Sequence, residues 1–320
     1  MQSLTRKVLY GLQLSVGPFC EIPSKVLCLI NKLSLGYILS IVFDQSRRTP
    51  VGFNQMSKEW LLSAGTGLPA FVLVCDDHRG ILHDDFEFEM GMRYLPLEKQ
   101  QRILSRKQRD ARNTALCNQI LQIAGASAAC GIHWRDLKFK MSKLGKPYVE
   151  SANPCIFNLS NSCGKVAMFV KRSHGSIGID LASTKDCENW GPGYLRLFQD
   201  IFSSDELQCL EQTQQGLQRD RLFIYYWSLK EAYTKLTGTG LNCCLSAINL
   251  GALEPLEADK TAKIVRTING SPITFKSKWI DNLTVLSVCE DSGNSTAEHD
   301  ELPLYELEVA DILSYLDSMK

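Results

Sequence analysis

Apolar and polar positions follow two different periods along this chain, and the mixture predicts both strands and helices. An apolar run at 69–75 ends at charged, turn-forming residues, which is typical of a buried strand. Two further runs, 156–159 and 166–170, flank turn residues 161–164 and predict a pair of strands, and 176–181 predicts another strand. Because strands and helices mix irregularly, we expect an α+β fold rather than a doubly wound parallel sheet.

Helical segments are recognised by apolar residues spaced three and four positions apart. This spacing predicts one or two helices over 95–124 and a longer helix over 222–236, which Gly238 ends. The Ser-x-x-Glu pattern at 203–206 predicts a capping box that opens a short helix. The C-terminal residues 304–316 predict a last amphipathic helix.

Residues 1–55 differ from the rest of the chain. They contain no acidic residue before Glu21 and carry several basic residues among serines and leucines. We expect a poorly ordered N-terminal extension, and the alternative is a mitochondrial transit peptide, which has the same kind of composition. The apolar run at 26–43 is interrupted by Asn31 and Lys32, so it does not predict a membrane span.

Composition and charge then limit the class of protein. A chain of 320 residues with 44% hydrophobic and 22% charged residues can bury a substantial core, which excludes a mainly disordered protein. The 35 basic residues equal the 35 acidic ones, so we expect no binding of nucleic acid through bulk charge. The twelve cysteines form no C-x-x-C pair and no zinc-ligand pattern with the five histidines, and we expect reduced thiols in a cytoplasmic protein.

An aspartate stands between apolar residues in the predicted strand 177–181. Alternation along the strand places its three aliphatic residues on one face, and Gly178 and Asp180 on the other. A buried carboxylate must be paired, protonated or bound to a metal. The alternative is an aspartate that caps a turn at the end of the strand.

The predicted helix 222–236 carries a second acidic candidate. Trp227, Glu231 and Lys235 follow one another at intervals of four residues and therefore lie on one line along the helix. Most Glu–Lys pairs at this spacing are solvated, but the neighbouring aromatic residues place this pair against an apolar surface. Tyr226 and Tyr233 lie on the adjacent stripe, which is typical of a core face.

Basic residues upstream indicate an anionic ligand. Arg102, Arg106 and Arg109 are spaced to lie on one side of a single helix, a geometry suited to a phosphate group. The turn that contains Gly145 and Lys146 offers backbone N–H groups and an ammonium group as well. Together with the two acids, these residues predict phosphate chemistry with Mg²⁺, because carboxylate oxygens suit hard cations. The chain contains none of the patterns G-x-x-x-x-G-K-[ST], G-x-G-x-x-G and G-x-S-x-G.

Four sequence blocks occur in the order and spacing of a known family. They are GKP at 145–147, FNLS at 157–160, IGIDL at 177–181 and WSLKEAYTKLTG at 227–238. The chain resembles the 4′-phosphopantetheinyl transferases of the larger, monomeric Sfp type. Within that family it is most similar to the fungal L-aminoadipate-semialdehyde dehydrogenase phosphopantetheinyl transferases of lysine biosynthesis, judged also from residues 84–104.

The resemblance implies a fold of two similar α/β halves related by a pseudo-twofold axis, with coenzyme A between them. The halves would span 56–175 and 176–320. The implied reaction transfers the 4′-phosphopantetheine arm of coenzyme A to a serine of an apo carrier domain, here the aminoadipate reductase of lysine biosynthesis, and releases adenosine 3′,5′-bisphosphate. We expect a cytoplasmic monomer that needs Mg²⁺ and does not bind membranes or nucleic acid.

The resemblance also implies roles for individual residues. Asp180 and Glu231 would bind Mg²⁺, Glu231 would activate the incoming serine, and Lys235 would stabilise charge on the leaving bisphosphate. Contacts with coenzyme A would come from a set of basic and polar residues: Arg102, Lys143, Gly145, Lys146, Asn158, Ser160, Asn161 and Lys235.

Two positions depart from the family pattern. Asn161 stands where the family usually has a histidine that contacts a phosphate of coenzyme A, and Ala182 stands where many bacterial members have a further acid. We expect weaker coenzyme A binding or a compensating cation at the first position, and water or a polar group beside the metal at the second. The alternatives are a non-catalytic homologue that binds coenzyme A or a carrier domain, and an unrelated Mg²⁺-dependent phosphoryl enzyme.

Overall fold

The computed structural model describes residues 54–55, 68–76, 80–142, 145–151, 155–292 and 301–319. All of them belong to one compact unit that spans Leu39–Lys320. The predicted N-terminal extension, except its last two residues, and Lys143 lie outside the described residues. No helix of the described part of the chain is long and apolar enough to cross a membrane.

The described strands form two larger sheets and a small hairpin. The first sheet has the order β1-β11-β2-β6-β5, the second has the order β7-β10-β9-β8, and β3 pairs with β4. The strands are β1 (Asn54–Gln55), β2 (Ala70–Asp76), β3 (Phe139–Met141), β4 (Pro147–Val149), β5 (Ile156–Ser162), β6 (Lys165–Lys171), β7 (Ile177–Ser183), β8 (Ala262–Ile268), β9 (Ser271–Trp279), β10 (Thr284–Asp291) and β11 (Leu304–Leu307).

Helices separate the strands irregularly, so the α+β prediction is confirmed. The α-helices of the described residues are α1 (Asp85–Met92), α2 (Leu97–Leu104), α3 (Arg109–Cys130), α4 (Lys185–Trp190), α5 (Tyr194–Leu197), α6 (Ser204–Gln212), α7 (Leu217–Thr237) and α8 (Val309–Ser318). The predicted capping box is present, because Ser203 and Glu206 each bond to the other's backbone N–H at the start of α6. The predicted stop of α7 is also present, where Gly238 adopts a left-handed conformation.

The predicted strand pair is β5 and β6, which run antiparallel. Their turn contains Cys163 and Gly164, with φ values of 47° and 77°. Two consecutive left-handed residues are typical of the tight hairpin turns whose twist matches that of the flanking strands. This turn fixes the register in which β5 presents its polar side chains.

The two sheets pack against each other, and a long helix covers the outer face of each. On β2, Phe71 and Leu73 contribute to the core beneath α3. The alternate residues Val72 and Val74 pack with Ile179 of the second sheet. Helix α7 packs on β7 and β10. The order of layers is therefore helix, sheet, sheet, helix, and β5 and β7 meet where the two sheets adjoin.

The C-terminal segment differs from its prediction. Residues 304–307 form β11 rather than the start of a helix, and β11 runs parallel to β2 in the first sheet. Helix α8 follows and buries Ile312 and Leu316 in the core of that sheet. The end of the chain therefore returns to the first sheet, and the division into halves at 56–175 and 176–320 stays a prediction.

Candidate functional site

The site lies where β7 and α7 touch. Gly178 of β7 makes this approach possible, since a Cβ atom there would lie 1.9 Å from the carbonyl oxygen of Ala232 on α7. Asp180 lies in the middle of β7 on the same face as Gly178, and its side chain is buried. Asp180 therefore faces α7 from within the sheet, and it is not a cap at the end of the strand.

Asp180, Ser160 and Lys235 form one hydrogen-bonded cluster. The ammonium group of Lys235 lies 2.7 Å from Asp180 Oδ1 and 2.8 Å from Ser160 Oγ. Ser160 Oγ donates to Asp180 Oδ1 at 2.9 Å and accepts from the backbone N–H of Leu181 at 3.1 Å. Strand β5 thus supplies a hydroxyl that holds the carboxylate of β7 and the lysine of α7 in one place.

Glu231 lies one helical turn before Lys235 but does not pair with it in the way the i, i+4 spacing suggested. Lys235 binds Asp180 instead, and Glu231 Oε1 is buried without a hydrogen-bond partner among the described residues. Burial, and then the charge of Asp180, raise the pKa of Glu231 to about 7, against the opposing effect of Lys235. Burial likewise raises the pKa of Asp180, although Lys235 and Ser160 oppose it.

The site therefore has two carboxylates for one lysine. A buried carboxylate oxygen without a partner is costly, and a cation would satisfy it. Within the described residues, no group of three or more His, Cys, Asp or Glu side chains is arranged to hold a metal ion. Two carboxylates suit Mg²⁺, which usually retains several water ligands.

A further acid near Asp180 was missed in the sequence. Ala182 lies buried on the same strand and supplies no ligand. Asp186, in the first turn of α4, has its pKa raised to about 6 by burial, with a contribution from the charge of Asp180. No local spacing in the sequence signals this proximity, because Asp180 and Asp186 belong to different elements, β7 and α4.

A cavity of about 360 Å³ opens between α3 and the edge of β5. Its wall mixes uncharged polar, apolar and basic side chains, and the lining residues are Arg106, Ala115, Asn118, Gln119, Gln122, Lys146, Pro147, Phe157, Asn158, Leu159 and Asn161. Three of the predicted coenzyme A contacts, Lys146, Asn158 and Asn161, lie in this wall. Ser160 points from β5 to the carboxylate cluster instead.

Two of these residues fasten the end of α7. Lys146 Nζ donates to the carbonyl of Leu236 at 2.7 Å, and burial lowers the pKa of Lys146. Asn158 Nδ2 donates to the carbonyls of Lys235 at 3.4 Å and Ile177 at 3.2 Å. Since the last carbonyls of a helix lack partners within the helix, these bonds hold the turn that carries Lys235. Gly145, with a φ of 76°, lies in the link between β3 and β4.

The three arginines predicted for one helix face are distributed over two helices and their link, which corrects that prediction. Gln108, with an extended backbone, begins α3 and breaks the helix. Arg102 lies in the last turn of α2, where it is exposed and pairs with Glu98 at 2.6 Å. Arg109 pairs with Asp85 at 2.7 Å, and Arg106, in the link, lines the cavity. The structure thus brings Arg106, and not Arg102, to the cavity wall.

The remaining faces of α7 serve the core. Tyr226 and Tyr233 are buried, as predicted, and the Tyr226 hydroxyl donates to the carbonyl of Gly251 at 2.8 Å. Lys230, which precedes Glu231, points away from the site and forms a buried ion pair with Glu206 at 2.8 Å. No local pattern predicts this pair, because its partners lie on different helices.

Comparisons with known proteins identify relatives of this chain. Residues 176–289 match the family model described as the 4′-phosphopantetheinyl transferase superfamily. The L-aminoadipate-semialdehyde dehydrogenase-phosphopantetheinyl transferase of Saccharomyces cerevisiae is 34% identical over 258 residues, which cover 79% of this chain and 92% of that protein. The protein of the same name from Eremothecium gossypii is 35% identical over 73% of this chain and 83% of its own.

The 4′-phosphopantetheinyl transferase Sfp of Bacillus subtilis is a more distant relative. It is 26% identical over 203 residues, which cover 63% of this chain and 85% of that protein. The matched superfamily region contains Asp180, Glu231 and Lys235. This chain belongs to the 4′-phosphopantetheinyl transferase family and is an enzyme of that class.

Proposed function

We propose that this enzyme transfers the 4′-phosphopantetheine arm of coenzyme A to a serine hydroxyl of an apo carrier domain and releases adenosine 3′,5′-bisphosphate. The observation that carries the proposal is the cluster of Asp180, Ser160 and Lys235 beside the unpartnered carboxylate of Glu231. The cavity that Asn158 lines is connected to this cluster by the bond from Asn158 to the carbonyl of Lys235, and it offers space for part of a nucleotide. Transfer at phosphorus depends mainly on positioning and on neutralising charge, which these groups are suited to do.

Asp180 and Glu231 fit a Mg²⁺ ion, because one carboxylate oxygen is buried without a partner and the two acids exceed the local positive charge. When bound, the ion supplies positive charge to the pyrophosphate of coenzyme A. Lys235, partly exposed on the cluster, stabilises negative charge on the departing bisphosphate. Glu231, with a pKa of about 7, accepts the proton of the serine directly or through a water molecule.

The acceptor we propose is the carrier domain of an aminoadipate-semialdehyde dehydrogenase in lysine biosynthesis. Its support is that the fungal relatives at 34% and 35% identity are named for that enzyme. We further propose that the transferase acts as a cytoplasmic monomer. Restored growth without lysine in a yeast strain that lacks its own transferase would support this acceptor, and continued lysine dependence would count against it.

We also propose that the two sheets are related by a pseudo-twofold axis. In each half a strand, β2 or β7, precedes a long helix, α3 or α7. A hairpin follows, and its last strand, β6 or β10, pairs antiparallel with the first strand. This repeated order supports the duplication that the family resemblance implies.

The direct test is a transfer assay read by mass spectrometry. The protein is incubated with apo carrier domain, coenzyme A and Mg²⁺, and the intact mass of the carrier is measured. We expect the phosphopantetheine increment on the carrier serine, and no increment when coenzyme A is omitted. If several carrier domains stay unmodified while coenzyme A still binds, the protein is the non-catalytic binding homologue instead.

A further inference from the structure

A row of polar side chains crosses the second sheet beneath α7. Asp180 of β7 is paired with Ser287 of β10, and Ser287 is paired with Ser277 of β9. Residues directly opposite each other on neighbouring strands point to the same face, so these three side chains form one line across the sheet. Ser277 and Ser287 are 1% and 0% exposed. The proposed reaction uses Asp180 and assigns no role to the two serines.

Hydrogen bonds join this row to α7. Ser277 Oγ lies 2.8 Å from Ser287 Oγ, which in turn lies 2.7 Å from Ser228 Oγ on the helix. Ser228 Oγ donates to the carbonyl of Tyr225 at 2.9 Å. Because each hydroxyl has one proton, Ser228 accepts from Ser287, and Ser287 accepts from Ser277. The bonds therefore run in one direction, from β9 through β10 to the helix.

Packing alone does not require a hydroxyl at position 287. The neighbours of Ser287 on that face of β10 are Val285 and Cys289, and both are buried. A hydroxyl in such surroundings costs free energy unless it is hydrogen-bonded, whereas a small apolar side chain does not. A buried polar network in which every group is bonded fixes one arrangement of the elements that it joins. The serines therefore specify where α7 lies on the sheet.

Two attachments hold α7 on either side of Glu231. Ser228, three residues before Glu231, is bonded to β10. Ala232, the next residue after Glu231, packs closely on Gly178 of β7. The first attachment is a hydrogen bond and the second is a steric contact, and they are about 6 Å apart along the helix. The position of Glu231 over the sheet depends on both.

The bond between the two serines connects the surroundings of the two acids. Ser287 lies beside Asp180 on the neighbouring strand. Ser228 lies one helical turn before Glu231. We propose that Ser287 is a positioning residue, which sets the separation of the two acids through its bond to α7 and thereby the fit of the divalent cation. This inference rests on the proposed function.

The test compares Ser287→Ala with the matched control Ser277→Ala. Both variants lose one buried hydroxyl, but only the first loses the bond to α7. Affinity for Mn²⁺ in the presence of coenzyme A is measured from the electron paramagnetic resonance signal of the free ion, and urea unfolding measures stability. We expect Ser287→Ala to weaken Mn²⁺ binding about tenfold and Ser277→Ala to weaken it less than twofold. The urea midpoints of the two variants are expected to fall by similar amounts.

A second comparison shows whether the bond itself is responsible. Mn²⁺ affinity is also measured for Ser228→Ala and for the double variant Ser228→Ala, Ser287→Ala. Because each single change breaks the same bond, we expect the double variant to bind Mn²⁺ about as weakly as either single variant. Losses that multiply in the double variant would show that the two serines act independently.

The outcomes separate this inference from the proposed function. Unchanged Mn²⁺ affinity in Ser287→Ala, an equal loss in Ser277→Ala, or multiplied losses in the double variant would overturn the positioning role. The wild type is run in the transfer assay beside these titrations. A wild type whose Mn²⁺ affinity depends on Ser287 but which never modifies a carrier would overturn the transfer reaction and leave the role of Ser287 standing.

Discussion

Helix α7 carries two lysine–carboxylate pairs that differ in their access to solvent. Lys230 and Glu206 lie 2.8 Å apart with side chains 1% and 0% exposed, whereas Lys235 and Asp180 lie 2.7 Å apart with side chains 27% and 7% exposed. The two lysines are five residues apart on one helix and therefore leave it in different directions. We refer to them as the sealed pair and the open pair.

The sealed pair is saturated with hydrogen bonds. Lys230 Nζ also donates to the carbonyls of Leu245 and Ile248, at 2.9 and 2.6 Å. Glu206 accepts from the backbone N–H groups of Ser203 and Leu250, at 2.8 and 2.7 Å. This pair therefore ties α6 and the segment after α7 to the middle of α7, and its function is structural.

The open pair is not saturated, because Glu231 adds a second carboxylate with a buried, unpartnered oxygen. Burial raises the pKa of Glu231 to about 7, whereas burial lowers the pKa of Lys230 despite the opposing effect of Glu206. Lys230 and Glu231, which are adjacent in one sequence block, therefore have different roles. Lys230 completes a closed network, and Glu231 leaves the site with a negative charge available for chemistry.

The largest effect on activity is expected from a change of Glu231, the acid beside the open pair. Glu231→Gln removes the proposed proton acceptor and one proposed ligand for the cation while it keeps the shape of the side chain. We expect the rate of phosphopantetheine transfer to fall about 1,000-fold or more, since general base catalysis alone contributes 100- to 10,000-fold. The rate is measured by intact mass of the carrier, and urea unfolding serves as the control for the fold. A variant that retains a tenth of the wild-type rate would remove Glu231 from the chemistry.

The next effect is on the sealed pair. Lys230→Met leaves Glu206 as a buried charge without its cation, and we expect the free energy of unfolding to fall by about 3–5 kcal/mol. The matched change in the open pair, Lys235→Met, also leaves a buried carboxylate, Asp180, but Ser160 still donates to it and burial raises its pKa, so we expect a smaller loss of about 1–3 kcal/mol. Urea unfolding measures both variants. Equal losses for the two would show that the pairs do not differ as described.

A third effect follows from the raised pKa of Glu231. An acid whose pKa is higher in the folded state binds a proton on folding at pH values between its two pKa values. Below the usual pKa of 4.5 it is protonated in both states and does not lower the free energy of unfolding. As pH rises to about 7, ionisation of the buried Glu231 lowers the free energy of unfolding progressively, and the loss reaches roughly 3 kcal/mol above that pH.

We therefore expect Glu231→Gln to be more stable than the wild type at pH 8 in the absence of divalent cations, and equally stable at pH 4. Thermal unfolding in the presence of a chelator measures the difference. Added Mg²⁺ is expected to reduce the gap at pH 8, because an ion that binds the folded wild type at Asp180 and Glu231, as proposed, stabilises it. A gap that stays constant from pH 4 to pH 8 would show that the charge of Glu231 is not the cause.

The smallest effect concerns the hydroxyl that organises the open pair. Ser160→Ala removes the bonds from Ser160 Oγ to Asp180 and Lys235, and we expect a rate about tenfold lower with the affinity for coenzyme A little changed. Separate measurement of kcat and KM distinguishes a loss of positioning, which lowers kcat, from a loss of contact with coenzyme A, which raises KM. An effect confined to KM would indicate that Ser160 contacts coenzyme A directly.

Local patterns in the sequence predicted the parts of this fold that depend on neighbouring residues. The β5–β6 hairpin, the capping box at Ser203 and the end of α7 at Gly238 are set by turn and cap chemistry within a few positions. The pattern of residues 304–316 predicted a helix where β11 forms. The strand depends on pairing with β2, which joins residues more than 200 positions apart. The spacing of apolar residues within a short segment does not indicate such a long-range contact.

The candidate site shows the same limit. The resemblance identified Asp180, Glu231 and Lys235, but the spacing predicted that Glu231 would pair with Lys235, whereas the structure pairs Lys235 with Asp180. The choice between Arg102 and Arg106 depended on a helix break at Gln108 that the apolar spacing did not show. Side-chain partners across elements follow from tertiary packing, which a single sequence does not specify.

The central claim is that Asp180 and Glu231 share one divalent cation. Binding of Mn²⁺, which prefers the same oxygen ligands as Mg²⁺, is measured from the electron paramagnetic resonance signal of the free ion in the presence of coenzyme A. The account predicts one bound ion per wild-type chain and loss of that binding in both Asp180→Asn and Glu231→Gln. Wild-type affinity for Mn²⁺ in both variants would contradict it.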